Sequence, residues 1–137
     1  MVDTNSTIHA EIRRRGADVL YGDVASMEVL RHAGVDAAEV IVSTVPDELL
    51  KGTTNEQIVR QLRALAPNAI IIANCTKVSG VPPLRAAGAD HAFRASTEVA
   101  LGILPAIYAA LNATLPSFQE AQTEEHGELE GRAEVID

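Results

Sequence analysis

The chain has 137 residues, a formal net charge of −8, 47% hydrophobic residues, few aromatics and no tryptophan. That length bounds one domain-sized core, which aliphatic side chains must fill. Twelve acidic and ten basic residues fall within residues 1–116, so the body is close to neutral, and neither a basic stripe nor a recognised motif offers a footprint for nucleic acid.

Met1-Val2-Asp3 reads as the end of a β-strand closing on an acid, and nothing around it has the basic, apolar and small segments of a secretion signal. Asn5 or Ser6 can cap a helix carrying Ile8 and Ile12 on one face. Gly16 ends it, after Arg13, Arg14 and Arg15 complement its negative end. Residues 18–21 read as a short strand and Gly22-Asp23 as the turn leaving it. Ser26 then caps a helix running through Met27 and Leu30 to a stop at Gly34.

Residues 39–44 form a buried-type apolar strand, followed by a loop of Pro46, Asp47 and Glu48 whose acids read as solvated charges. Thr53-x-x-Glu56 matches a capping box, Ile58, Leu62 and Leu65 mark one helical face, and Pro67 ends the helix. A further β-branched run occupies residues 69–73. The single Cys75 at its end excludes an intrachain disulfide, points to a reducing compartment and reads as a space-filling residue rather than a nucleophile. Pro82-Pro83 opens a short helix stopped by Gly88, and residues 90–93 read as a last strand.

Strands alternating with helices predict right-handed βαβ units. The expected fold is α/β, a Rossmann-like parallel sheet with helices on both faces. In the doubly wound order 3-2-1-4-5-6, ligands lie at the carboxyl ends of strands, where Asp3, Asp23 and Thr44 fall, and an acid ending the second strand holds ribose hydroxyls. The Gly-x-Gly-x-x-Gly turn that belongs before such an acid is absent, so the chain reads as N-terminally truncated. Without the central first strand, its two neighbours would each expose an inner edge.

Ser96 or Thr97 can cap a final helix, and residues 99–115, from Val99 to Leu115, carry no charge. With Asn112, Thr114 and a mid-helix Pro105, this stretch falls short of a membrane span and reads as an interface helix, kinked at the proline. Residues 116–137 hold seven acids and one arginine. Such a segment is expected to stay disordered, with a weak helix over residues 118–130 as the alternative. The predicted division is a nucleotide-binding domain over residues 1–95, a crossover or dimerisation helix over 96–115 and an acidic tail over 116–137.

The segment GADVLYGDV at residues 16–24 resembles the RCK or KTN (TrkA N-terminal-like) domains of potassium transport. Residues 27–34 (MEVLRHAG), the strand within DAAEVIVST at residues 36–44, Asn55-x-x-Ile-Val-Arg-x-Leu-Arg63, Pro67-x-x-Ile-Ile-Ile and Leu84-x-x-Ala-Gly-Ala-Asp90 continue the likeness in order and spacing. The loop and helix pattern is similar to the domains behind Kef-type cation/proton antiporters. The resemblance implies a non-catalytic cytoplasmic regulatory domain that binds NAD(H) or the adenine nucleotides AMP and ATP. The helix at residues 99–115, apolar all round, is expected to pack on a second copy, as a homodimer, or on a neighbouring domain, and the resemblance implies a membrane transporter domain in the same or a partner chain.

By the same resemblance Asp3 is the ribose-binding acid, Asp23 and Val24 flank the adenine, and Thr44 lies near phosphates or the second sugar. As residues, Asp3 and Asp23 could equally be capping or turn aspartates and Thr44 a loop cap. Arg94 could reach a phosphate in a partner domain or form a surface ion pair. Asn74 and Cys75 stand where the family often carries an arginine. Two other readings remain open, an NAD-dependent oxidoreductase fragment and a nucleotide-free dimerisation module. Against the first, Tyr21 and Tyr108 are followed at Tyr-x-x-x-Lys spacing by Ala25 and Asn112, and His9, His32, His91 and His126 have no metal-ligand spacing.

Overall fold

The computed structural model describes residues 1–3 and 9–126. It divides into two compact units, Met1–Ala95 and Ser96–Asp137. The first unit opens with β1 (Val2–Asp3), α1 (His9–Arg14), β2 (Leu20–Tyr21), α2 (Met27–His32) and β3 (Val40–Ser43). It continues through α3 (Asn55–Leu65), β4 (Ile70–Asn74), α4 (Val81–Ala87) and β5 (His91–Phe93). The predicted caps at Asn5 or Ser6 and the apolar Ile8 lie outside the described residues.

All strand pairing is parallel and falls into two sheets, β1 with β2 and β3-β4-β5. Val2 pairs with Leu20 and Asp3 with Tyr21. Val40 through Ser43 pair in register with Ile70 through Ala73, and Ile72 meets His91. Among the described strands, β1 and β3 do not pair with one another. The expected break therefore falls between β1, which bears Asp3, and β3, which Thr44 follows.

The core forms where α3 and α4 cover one face of the larger sheet. Ile58, Val59 and Leu62 of α3 pack with Ile71, Ala73, Leu84, Ala87 and Leu30. Each of these side chains is almost fully removed from water, a burial that contributes roughly 1.5–3 kcal/mol for each large aliphatic. The opposite face leaves Val40, Val42 and Ile70 more than half exposed, at 53%, 56% and 53%. Helical cover in this sheet is thus concentrated on one side.

Of the caps predicted for α2 and α3, one shifts by a residue. Ser26 caps α2, its hydroxyl accepting from the Val29 amide. The capping box at α3 uses Thr54 and Gln57 instead of Thr53 and Glu56. A glutamine reaches back to the cap amide as well as a glutamate does, which makes the two frames indistinguishable by pattern.

Arg63 ties the lower end of this unit together. Its guanidinium donates to the carbonyls of Pro67 (2.9 Å), Ala69 (2.7 Å) and Gly88 (2.8 Å) and to Asp90 Oδ2 (2.6 Å). The same carboxylate oxygen accepts from the Ile71 amide at 2.7 Å. One side chain thereby joins the end of α3, the start of β4 and the turn before β5.

Helix α5 runs Ala95–Leu111, all but its first residue in the second unit, with Pro105 inside it, and α6 runs Leu115–His126. The expected single helix to residue 115 stops earlier. Ala113 takes a left-handed φ of 55°, its amide donates to Ala110 O, and Thr114 N donates to Ala109 O. This is a Schellman stop. Pro116 then suits a new helix, since its missing N–H falls in a first turn that has no acceptor. Helix α6 covers residues 116–126 of the acidic segment and overlaps the helix over residues 118–130 given as the alternative to disorder. Thr114 O accepts from Phe118 N, giving α6 a starting turn; the rest of the tail lies outside the described residues. No helix among the described residues is long and apolar enough to cross a membrane.

Candidate functional site

A cavity of about 370 Å³ opens at the carboxyl ends of β1 and β3, and its lining includes Asp3, Asp23, Val24 and Thr44 together with Lys51 and Thr53. These residues come from different stretches of the chain, and the parallel topology brings their strand ends to one side. Concave sites at such ends are where open parallel sheets take ligands.

Each member is positioned by local chemistry. Asp3 ends β1, where its carbonyl accepts from the Gly22 amide at 3.3 Å. Gly22 is buried against α2, and a Cβ there would lie 2.5 Å from Val29 Cγ1. Only glycine allows β2 to leave the sheet so close to the helix. Asp23 follows immediately, its Oδ1 accepting from Ala25 N at 2.8 Å in an Asx turn. The turn role and a place in the cavity coexist, because a carboxylate has a second oxygen. Val24 packs against the main core.

Thr44 is held through its carbonyl, which accepts from Asn74 Nδ2 at 3.4 Å, while Asn74 Oδ1 accepts from Ala95 N at 3.3 Å. Asn74 is 3% exposed. It is a strut within the first unit, between the end of β3 and Ala95. Cys75 is buried beside it, with Sγ 3.5 Å from Phe93 O. Burial pushes its thiol pKa up, Arg94 pulls it down and Asp47 pushes it up again, so the residue stays a protonated filler.

Asp47 and Glu48 do more than the solvated loop role expected of them. Although exposed, Asp47 Oδ1 accepts from Asn55 Nδ2 at 2.8 Å, and Oδ2 accepts from Thr76 N at 3.3 Å. Glu48 Oε2 accepts from Thr76 Oγ1 at 3.2 Å. The loop after β3 is thus tied to the loop after β4. Asn55 Nδ2 also donates to Val45 O at 3.0 Å. The sequence reading named Asn55 only within the family likeness and gave it no role, since it looks like an ordinary first helical residue; an amide directly after two threonines was the available signal.

A second cavity, about 510 Å³, lies beside these contacts and includes Asp47, Asn55, Cys75 and Thr76 but none of the four candidate residues. Arg94 does not form the expected surface ion pair among the described residues. It is half-buried, and its Nε lacks a partner. Among the described residues no group of three or more His, Cys, Asp and Glu side chains is arranged to hold a metal ion.

Comparison with known proteins gives this geometry a family. Residues 1–95 match the TrkA-N domain family. The chain is 33% identical over 90 residues to the glutathione-regulated potassium-efflux system protein KefC of Escherichia coli O139:H28, covering 66% of this chain and 14% of KefC. It therefore spans about one seventh of that relative's length. Among solved structures, the TrkA-N domain of the inner membrane protein YbaL from Escherichia coli superposes with a TM-score of 0.63 at 26% identity, over 76% of this chain and 74% of that one. The GsuK channel bound to NAD matches with a TM-score of 0.55 at 26% identity, over 66% of this chain and 16% of that one. GsuK bound to ADP gives 0.56 at the same identity, over 68% and 23%. With a matching parallel α/β fold and a family match across the whole first unit, the chain belongs to the TrkA-N domain family.

Proposed function

We propose that this chain is a cytoplasmic nucleotide-sensing regulatory domain of a potassium or cation/proton transport system. The observation that carries this reading is the convergence of Asp3, Asp23, Val24 and Thr44 on one cavity at the strand ends. An acid there can accept hydrogen bonds from both ribose hydroxyls, and Val24 offers an apolar surface for a base. At about 370 Å³ the cavity suits an adenosine-sized group, near the lower end of the roughly 300–1,000 Å³ usual for small-ligand sites. The relatives add transport, through KefC, and nucleotide, through GsuK with NAD or ADP.

The domain has no catalytic part in this proposal. Nucleotide binding regulates by favouring one arrangement of a homodimer, which requires different affinities in the two arrangements. The dimer contact is α5, where Val99, Leu101, Ile103, Ile107, Tyr108 and Leu111 are exposed. A helix whose exposed side chains, from Val99 to Leu111, are apolar and uncharged is the kind of surface that obligate partners bury. The membrane transporter domain lies in the same or a partner chain.

Thermal unfolding of the 137-residue chain with millimolar AMP, NAD⁺ or NADH tests the site, and solution mass tests the dimer. A ligand at 100 times its Kd adds about 2.7 kcal/mol and raises the midpoint. A monomeric mass removes the dimer part. Absence of any ligand-dependent rise identifies the chain instead as a nucleotide-free interaction module.

A further inference from the structure

The cavity carries an asymmetry of charge that the ribose and adenine assignments leave unused. Asp3 and Asp23 come from the ends of the smaller sheet, whereas Lys51 comes from the loop after β3, and it is the one basic residue among the described lining. Lys51 is exposed and joins no ion pair among the described residues. Gly52 follows in a left-handed conformation, φ 73°. That turn lets Lys51 and Thr53, on either side of it, line the same cavity. The amides of Lys51, Gly52 and Thr53 donate no hydrogen bond within the described chain.

Two carboxylates in a small cavity repel an anionic ligand unless a cation offsets them. Resting on the nucleotide reading of this cavity, we propose that Lys51 binds the phosphate of an adenine nucleotide whose nucleoside lies against Asp3, Asp23 and Val24. The ligand class is then an anionic nucleotide rather than a free nucleoside. Lys51 supplies the charge, and the unbonded amides around Gly52 are donors suited to phosphate oxygens.

Calorimetric titration of the full 137-residue chain with adenosine and with AMP separates the contributions, using wild type, Lys51→Gln, Lys51→Arg and Asp3→Asn. Wild type is expected to bind AMP more tightly than adenosine. Lys51→Gln lowers AMP affinity about tenfold and leaves adenosine unchanged; Lys51→Arg keeps the preference, and Asp3→Asn weakens both ligands alike. The wild-type preference for AMP fades with added salt, and that dependence disappears in Lys51→Gln. If AMP affinity is unchanged in Lys51→Gln, or falls together with adenosine, the assignment of Lys51 is wrong while the nucleotide reading stands. Failure of wild type to bind either ligand removes both.

Discussion

Replacing Arg63 by alanine tests whether one side chain closes the first unit. In the native state its guanidinium serves three carbonyls, Pro67 O, Ala69 O and Gly88 O, besides Asp90. The side chain is 27% exposed, so water can replace part of what is lost. A hydrogen bond to a charged donor contributes roughly 1.5–3 kcal/mol, and an unsatisfied half-buried carbonyl costs less than a fully buried one. Three carbonyl contacts discounted for access give a loss of about 2–4 kcal/mol for Arg63→Ala. Lysine has a single ammonium and cannot span carbonyls on three segments, so Arg63→Lys should recover less than half of that. Urea unfolding followed by far-UV circular dichroism measures both, with the midpoint falling while the slope stays constant. Asp90→Asn, which keeps an acceptor for the Ile71 amide, should cost less than Arg63→Ala. A change within 0.5 kcal/mol of wild type for Arg63→Ala would refute the reasoning, because the carbonyls would then be equally well served by water.

Acid should destabilise the fold through two carboxylates. The Ile71 amide and then Arg63 hold the Asp90 pKa below 3.8, and hydrogen bonds from Arg14 and then Arg15 lower that of Glu11 from 4.5 to about 2. Both folded pKa values are depressed, so their stabilisation is complete above the unfolded values and is lost as pH falls through the folded ones. Unfolding midpoints should be flat above about pH 5 and decline below pH 4, with a shallower decline in an Asp90→Asn, Glu11→Gln double variant. Gly22→Ala should cost about 1–3 kcal/mol from overpacking against Val29 and weaken nucleotide binding through displacement of Asp23; unchanged binding separates the two. Ala113→Gly should stabilise the α5 stop by about 0.5–1 kcal/mol, seen as a higher midpoint, because an alanine there bears left-handed strain. Asn55→Ala should cost about 1–3 kcal/mol by freeing Val45 O and Asp47, and hydrogen exchange at the Thr76 amide should accelerate.

The element order was legible because each element carries its own signal. Ser26 and Gly34 bracket α2, the apolar face of α3 repeats at helical spacing, and the β-branched run at Ile70, Ile71 and Ile72 has one reading. Alternation of these pieces implied parallel pairing, and parallel pairing implied that Asp3, Asp23 and Thr44 share one side. The one-residue shift of the capping box, from Thr53 to Thr54, shows where pattern runs out: two adjacent threonines, each followed three residues later by a capping partner, are equivalent until packing chooses between them.

Other features had no local signal at all. Asp47 and Glu48 look like any exposed acids until the loops after β3 and β4 are brought together by the sheet and present Asn55 and Thr76 to them. Arg63 looks like a surface helix residue until the turn at Gly88 places a carbonyl and Asp90 within its reach. Lys51 gained meaning only when the cavity placed it with two acids from the other sheet. Sequence by itself determined helix, strand and the side of the sheet on which the candidate residues fall, since propensity, capping and hydrophobic period act over a few neighbouring residues. Tertiary structure decided which distant groups meet, since hydrogen bonds and charge pairs between segments remote in the chain form only after the core has set the spacing between their strands.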